Sequence, residues 1–308
     1  MKTNIKRNEF KKIKSRIKEI RLKSLDCYEN QDREFVEISI VAIYKNEPDI
    51  IEWIEYHKLL GVDRFYLYDN ESTDSSREKL QPYINEGTVV YHYIAGKSQQ
   101  IPVYRDAIYR YKNQTKWLAI IDLDEYILPI EKDNLKDLMK DYEQYPALGI
   151  NWLVFDSNGF INRPDKLVIE AYTRIDKRIN IRENRHIKSI VNPREVKYIF
   201  NPHFCIYKGH KVAVNENFLK IGKYNNINNV KNAFTPKVSI KKIRINHYHT
   251  KSYEDYCKKV GLGFADSQLK RDFKPKRLNF RYTKHDYKIQ KYLCKLKQIF
   301  KNTVNSDV

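Results

Sequence analysis

The feature that most constrains this chain is an alternation of apolar strands and amphipathic helices between residues 35 and 126, each strand running into a polar or acidic turn. Phe35-Val36-Glu37-Ile38-Ser39-Ile40-Val41-Ala42-Ile43 is dense in β-branched residues and reads as a strand, which Tyr44-Lys45-Asn46-Glu47-Pro48 breaks. A helix follows from Asp49, with Ile50, Ile51, Ile54, His57, Lys58 and Leu60 in period and Gly61 as its stop. Arg64–Tyr68 is the next strand and closes on Asp69-Asn70-Glu71-Ser72-Thr73-Asp74. A short helix over Ser75–Tyr83, a strand over Thr88–Tyr93, a helix over Tyr104–Lys112 and a strand over Trp117–Ile121 complete the series. This pattern predicts an α/β fold with a mostly parallel sheet and right-handed crossovers. Ligands bind such sheets at the carboxyl ends of the strands. Tyr44–Glu47, Asp69–Asp74 and Asp122–Glu125 therefore share one rim.

Beyond residue 150 the pattern thins. Short strands are expected at Gly149–Phe155, Leu167–Tyr172, His186–Val191 and Lys237–Ile245, separated by loops rich in Asn and Pro. Thr283–Lys301 reads as a helix with Ile289, Tyr292, Leu293, Leu296, Ile299 and Phe300 in an apolar stripe. The chain divides into a basic helical leader (1–34), a main domain (35–268, with halves 35–130 and 131–268) and a basic C-terminal helical extension (269–308).

The 308 residues carry 58 Lys and Arg against 39 Asp and Glu, a formal charge of +19 that suits phosphorylated, nucleic or anionic lipid partners. The excess gathers in the first 23 residues and in 270–301, on the flanks rather than in the centre. No RRM, KH, zinc or helix-turn-helix pattern supports a nucleic-acid-binding protein, and no specific nucleic acid is expected. Neither a Walker A loop nor a GxGxxG turn is present, which weighs against a nucleotidyl- or phosphotransferase using the usual phosphate cradles. The four cysteines are widely spaced, as suits a reducing cytosol. The N-terminus lacks the apolar run of a secretory signal and no run spans a membrane, so the expected location is cytoplasmic. The C-terminal stripe, ringed by lysines, suits either packing on the main domain or an anionic membrane surface.

The sharpest chemistry lies in Ile120-Ile121-Asp122-Leu123-Asp124-Glu125-Tyr126. Two carboxylates one residue apart at the end of a buried strand are expected on the same side, where a hard divalent cation offsets their repulsion. The competing reading is a pair of helix caps. Asp69 is similarly either a turn acceptor or a partner of a base or ribose hydroxyl.

Several ordered runs resemble glycosyltransferase family 92, within the GT-A glycosyltransferases. They are Val41-Ala42-Ile43-Tyr44-Lys45-Asn46-Glu47, Glu52-Trp53-Ile54-Glu55-Tyr56-His57, Gly61–Tyr66, Tyr68–Ser72 and Trp117–Tyr126. Lys188-Ser189-Ile190-Val191, Asn246-His247-Tyr248 and Lys251-Ser252-Tyr253-Glu254 follow in order. The resemblance implies a GT-A (Rossmann-like) fold, a nucleotide-sugar donor, most simply a UDP-sugar, dependence on Mn²⁺ or Mg²⁺, and inversion at the anomeric carbon. It also implies that Asp122, Asp124 and His247 hold the metal, with His249 as competitor for His247, and that Ala42, Lys45, Asn46, Glu47 and Asp69 line the nucleotide pocket. One departure stands out: Phe155-Asp156-Ser157-Asn158-Gly159-Phe160 has Asp156 and Phe160 where family members carry Gly and His.

The expected chemistry is Lewis-acid stabilisation of the departing diphosphate together with removal of the acceptor's proton. Glu125 and Asp156 are the candidate bases, Glu125 having a second possible role in orienting the two aspartates. Arg105 and Lys188 are candidate phosphate ligands. The expected acceptor is a glycan or lipid-linked glycan, and the Lys-, Asn- and Ile-rich composition associates with bacterial surface polysaccharide synthesis.

Overall fold

The computed structural model describes residues 33–222, 233–263, 272–274 and 278–306. All of the expected basic leader except its last two residues lies outside them. Four parallel strands, β1 (Val36–Tyr44), β2 (Arg64–Asp69), β3 (Val89–Tyr93) and β4 (Thr115–Ile120), alternate with helices α1 (Ile50–Leu59), α2 (Ser76–Asn85) and α3 (Gln100–Tyr111). β1 is buried on both faces from Ile38 onward, as helix-covered parallel sheets require. Gly61 takes φ +89° after α1, and a Cβ there would meet Asn134 at 2.9 Å. Both the left-handed turn and the close approach thus call for glycine.

The chain then adds β5 (Glu125–Pro129), α4 (Leu135–Lys140), β6 (Ala147–Val154), a one-turn helix α5 (Val168–Ala171), β7 (Arg174–Asp176), β8 (Ile187–Val191), β9 (Val196–Asn201), β10 (Phe204–Tyr207), β11 (Ile243–His247), α6 (Tyr253–Leu262), β12 (Thr283–His285) and α7 (Leu293–Ser306). The main sheet has eight strands in the order β3-β2-β1-β4-β8-β6-β11-β5. β8 runs antiparallel to both β4 and β6, and β5 runs antiparallel to β11, so the sheet is mostly rather than wholly parallel. Strand order reverses between β1 and β4, which opens the ligand crevice at their carboxyl ends. The two antiparallel strands each begin at that same rim. His247, at the end of β11, lies opposite Glu125 of β5 and Val154 of β6.

Helix α1 fixes where β5 begins. Trp53 Nε1 donates to the Glu125 carbonyl at 2.8 Å and the Tyr56 hydroxyl to the Ile127 carbonyl at 2.6 Å, while His57 Nε2 accepts from Ile127 N at 3.3 Å. Burial drives the His57 imidazole down to about 3, so its ring is a neutral acceptor in the core.

Three expected elements take another form. Leu167–Tyr172 is a helical turn rather than a strand. The buried Glu52 carboxylate, 116 residues away, accepts from the N–H groups of Val168 at 2.7 Å and Ile169 at 3.2 Å, satisfying the donors a helix start leaves open. The strand expected at Lys237–Ile245 begins only at Ile243. Before it, Glu216 gathers the N–H groups of Lys241, Lys242 and Ile243 at 2.8 to 2.9 Å and bends the segment into a loop. Thr283–His285 pairs with β7 as a strand, a one-turn 3₁₀ segment follows, and α7 begins at Leu293. Ile289, Tyr292 and Leu296 of the apolar stripe are buried in the core and Leu293 and Phe300 pack against it. That stripe packs on the main domain, the first of the two expected alternatives. No helix among the described residues is long and apolar enough to cross a membrane.

Helix α6 begins with a capping box: Ser252 Oγ accepts from Asp255 N at 3.1 Å and the Asp255 carboxylate accepts from Ser252 N at 3.4 Å. Ser252→Ala should cost about 1 kcal/mol, as loss of an N-cap does. Chemical denaturation checks it; an unchanged midpoint would mean that the cap does not set this helix.

Candidate functional site

The turn after β4 carries the central carboxylates. Asp122 N donates to Glu125 Oε2 at 2.9 Å and Glu125 N to the Asp122 carbonyl at 3.1 Å, which closes the turn on itself. Asp122 stays half-buried and is surrounded by donors. Gln100 Nε2 and the Tyr104 hydroxyl both reach Oδ1 at 2.9 Å, and Lys188 Nζ reaches Oδ2 at 2.9 Å. Gln100 and Tyr104 are one turn apart on α3, so one helix face presents both.

Lys188 has no exposed surface and stands between two acids, 2.9 Å from Asp122 and 3.4 Å from Glu125. Burial, the largest single influence, would raise the Asp122 carboxyl, but the Lys188 ammonium and the Tyr104 hydroxyl together hold the group below its ordinary value. Burial raises Glu125 well above the ordinary range, against the pull of Lys188. Glu125 Oε1 is buried without a hydrogen-bond partner. Glu125 is fully enclosed behind Asp122, from whose N–H it accepts, in the place of the orienting alternative rather than of an exposed base.

Asp124 faces a different set. Its Oδ2 pairs with Lys259 Nζ and lies 3.5 Å from His247 Nε2. Burial would raise this carboxyl too, but Lys259 and then His247 hold it well below the usual range. Asp124 nevertheless lies close enough to Asp122 for its charge to oppose ionisation of the Asp122 carboxyl. Each has its own ammonium, and Lys188 and Lys259 supply the charge compensation that was expected of one cation.

No three His, Cys, Asp or Glu side chains among the described residues are grouped to hold a metal ion. Asp124 and His247 nevertheless face each other closely enough to bind one ion, and Mg²⁺-like ions complete their shell with water and substrate phosphates. Burial keeps the His247 imidazole below its ordinary value, which favours the neutral form a ligand needs, and its Nδ1 has no hydrogen-bond partner. The residues fit an ion shared with a diphosphate. His249 contributes its carbonyl, which accepts from Lys259 at 2.9 Å.

The other rim residues knit loops together. Asn46 takes φ +54°, donates its N–H to Ser72 Oγ at 2.9 Å and accepts from Thr73 N at 2.7 Å. Asp69 accepts from Ser72 N at 2.8 Å and from the Tyr91 hydroxyl at 2.9 Å, the turn-acceptor role. Glu47 accepts from Lys251 Nζ at 2.8 Å; burial raises its carboxyl and Lys251 opposes the rise. Lys251 also pairs with Asp49, which pairs with Arg163, so the loops after β1, β6 and β11 are linked by charge. Lys45 is half-exposed, 3.9 Å from Glu71, and Ala42 is fully buried in the core.

Two expected site residues, Arg105 and Asp156, are engaged elsewhere, and Lys188 is enclosed within the site. Arg105 Nε donates to the Ile199 carbonyl at 3.2 Å and ties α3 to β9. Lys188 is enclosed and reaches a ligand only through Asp122. Asp156 is buried and ties its loop to β7 and to the C-terminal segment, accepting from Arg174 Nε at 2.8 Å, Asn158 N at 2.9 Å and Phe280 N at 3.0 Å. Phe160 packs against the core, so the two departures in that loop serve its folding. The missed residues are Gln100, Tyr104, Lys251 and Lys259. Lys259 was accessible from helical phase, because Ser252, Tyr256 and Lys259 are spaced i, i+4 and i+7 along one face.

The glycosyltransferase family 92 model matches residues 35–260, which takes in β1 to β11 and nearly all of α6. The chain belongs to glycosyltransferase family 92. A family 92 protein of Oryza sativa subsp. japonica is 31% identical over 199 residues, 60% of this chain and 32% of that protein. A galactan beta-1,4-galactosyltransferase of Arabidopsis thaliana is 29% identical over 163 residues, 48% of this chain and 31% of the plant protein. A beta-1,4-galactosyltransferase of Caenorhabditis elegans is 24% identical over 200 residues, 60% of this chain and 45% of the nematode protein. This family 92 chain thus spans less than half the length of each of these three relatives.

Proposed function

We propose that this chain transfers a sugar from a UDP-sugar to a hydroxyl of a glycan or lipid-linked glycan, with Mn²⁺ or Mg²⁺ and with inversion. The observation that carries the reading is the placement of Asp122 and Asp124 at the strand-order switch, each matched by a lysine, with His247 against Asp124. Two of the similar proteins are named beta-1,4-galactosyltransferases, which favours a hexosyl donor. Assembly of a bacterial surface polysaccharide is the setting the composition favours.

When bound, the divalent ion would supply Lewis-acid stabilisation of the charge that grows on the diphosphate. Asp124 and His247 would hold it. Lys188, Gln100 and Tyr104 lock Asp122 in one orientation, with a third of its side chain left exposed. Such preorganisation is what makes electrostatic stabilisation effective. The Asn46–Thr73 and Asp69–Ser72 contacts would keep the floor under the nucleoside fixed.

The test is a thermal-shift comparison of UDP-, GDP- and CMP-sugars, each with Mn²⁺ and with EDTA. A UDP-sugar at about a hundred times its Kd stabilises by about 2.7 kcal/mol, a shift of several degrees expected only with Mn²⁺. An equal shift in EDTA would remove the metal from the account, and no shift with any nucleotide sugar would remove the donor.

A further inference from the structure

Lys259 occupies a position that the carboxylate pair alone does not explain. It lies in the last turn of α6, its side chain is 28% exposed, and its ammonium pairs with the same Asp124 oxygen that faces His247 Nε2 at 3.5 Å. Its other contact is the His249 carbonyl at 2.9 Å. The capping box at Ser252 fixes the phase of α6 and so aims this side chain at the turn after β4.

An ammonium and a divalent cation on one carboxylate oxygen repel each other across a few ångströms, which disfavours their sharing Asp124 Oδ2. A metal on that oxygen would therefore favour movement of Lys259 away from Asp124. Its stem is flexible and partly exposed, and an ammonium carries three donors suited to phosphate oxygens. Lys188 has no such freedom, being wholly buried between Asp122 and Glu125. Arg105 is bound to the Ile199 carbonyl and Lys251 is held between Glu47 and Asp49. Of these four cations, Lys259 is the one placed to exchange a carboxylate for a donor phosphate.

We propose that Lys259 is a diphosphate-binding residue and that, without donor, its ammonium closes Asp124 against the metal. The inference rests on the metal-dependent donor reading above. Metal and nucleotide binding are then coupled: the diphosphate draws Lys259 away from Asp124, and the vacated carboxylate takes the ion. Linkage requires each ligand to strengthen the other by the same factor. The same ammonium then remains on the diphosphate, where charge collects as the sugar departs.

The test is Mn²⁺ titration of the full chain by electron paramagnetic resonance, for wild type, Lys259→Met and Lys259→Arg, with and without UDP. Wild type should bind Mn²⁺ weakly alone and about tenfold more tightly with UDP, a coupling of ordinary size. Lys259→Met should bind Mn²⁺ about tenfold more tightly than wild type without UDP and gain less from UDP, while binding UDP more weakly. Lys259→Arg, which keeps the charge, should retain weak binding of Mn²⁺ alone. Equal Mn²⁺ affinity of wild type and Lys259→Met without UDP would overturn the gate while leaving the metal reading intact. Absence of Mn²⁺ binding in all three proteins, even with UDP bound, would overturn the metal reading and the gate together.

Discussion

Replacing Asp124 by alanine should abolish sugar transfer, a loss of at least about a hundredfold, while the protein stays folded. An ion on a departing phosphoryl group is worth several kcal/mol of transition-state stabilisation, and each 1.36 kcal/mol is a factor of ten in rate. Folding should survive because the turn is held by backbone groups that alanine keeps. The Asp124 carbonyl accepts from Tyr248 N at 2.9 Å, and Glu125 N still closes on the Asp122 carbonyl. Of the side chain's two partners, Lys259 is partly exposed and keeps the His249 carbonyl. Asp124→Asn preserves the shape and should lose nearly as much activity. Transfer assays alongside circular dichroism check both variants; turnover within threefold of wild type would refute a metal role for Asp124.

The second large effect is on stability. Lys188→Met should destabilise the protein by about 3 kcal/mol, the lower end of what breaking a buried ion pair costs. In a domain of this size that corresponds to a fall in Tm of roughly 6–12 °C. The methionine fills the space but leaves Asp122 with only Gln100 and Tyr104, and leaves Glu125 buried against another acid. A general loss of packing would give the same fall, so the double variant Asp122→Asn with Lys188→Met is the control. It removes the stranded charge and should recover part of the loss, which a double-mutant cycle reads directly. A Lys188→Met protein as stable as wild type would mean that the ammonium does not knit this site.

The first half of the fold was legible because its signal is local. The β-branched run of β1, the periodic apolar face of α1 and Gly61 each carry their own pattern within ten residues. The insertion of β8 between β4 and β6 was not legible, because its partners lie far away in sequence and no local pattern names them. Leu167–Tyr172 shows how a distant side chain decides a short segment: Glu52 supplies the carboxylate that caps a helical turn there.

The site divides along the same line. Asp122 and Asp124 were visible as carboxylates at a strand end, and the sheet does bring Glu47, Lys188 and His247 to that rim. Their orientation was not visible, because it depends on Lys188 from β8 and Lys259 from α6, the latter 135 residues from Asp124. Asp156 looked catalytic by residue type alone. Its burial against Arg174 and the Phe280 N–H, the latter 124 residues on, is a tertiary fact.

The central claim is transfer from a nucleotide sugar, and donor cleavage tests it most directly. The chain would be incubated with UDP-galactose, UDP-glucose and UDP-N-acetylglucosamine in Mn²⁺, and again in EDTA, with ³¹P and ¹H NMR following the products. The account predicts that one donor yields UDP and free sugar only with Mn²⁺, that the first-formed anomer is inverted relative to the donor, and that Asp124→Ala yields neither. Three donors left intact and unbound in Mn²⁺ would contradict it.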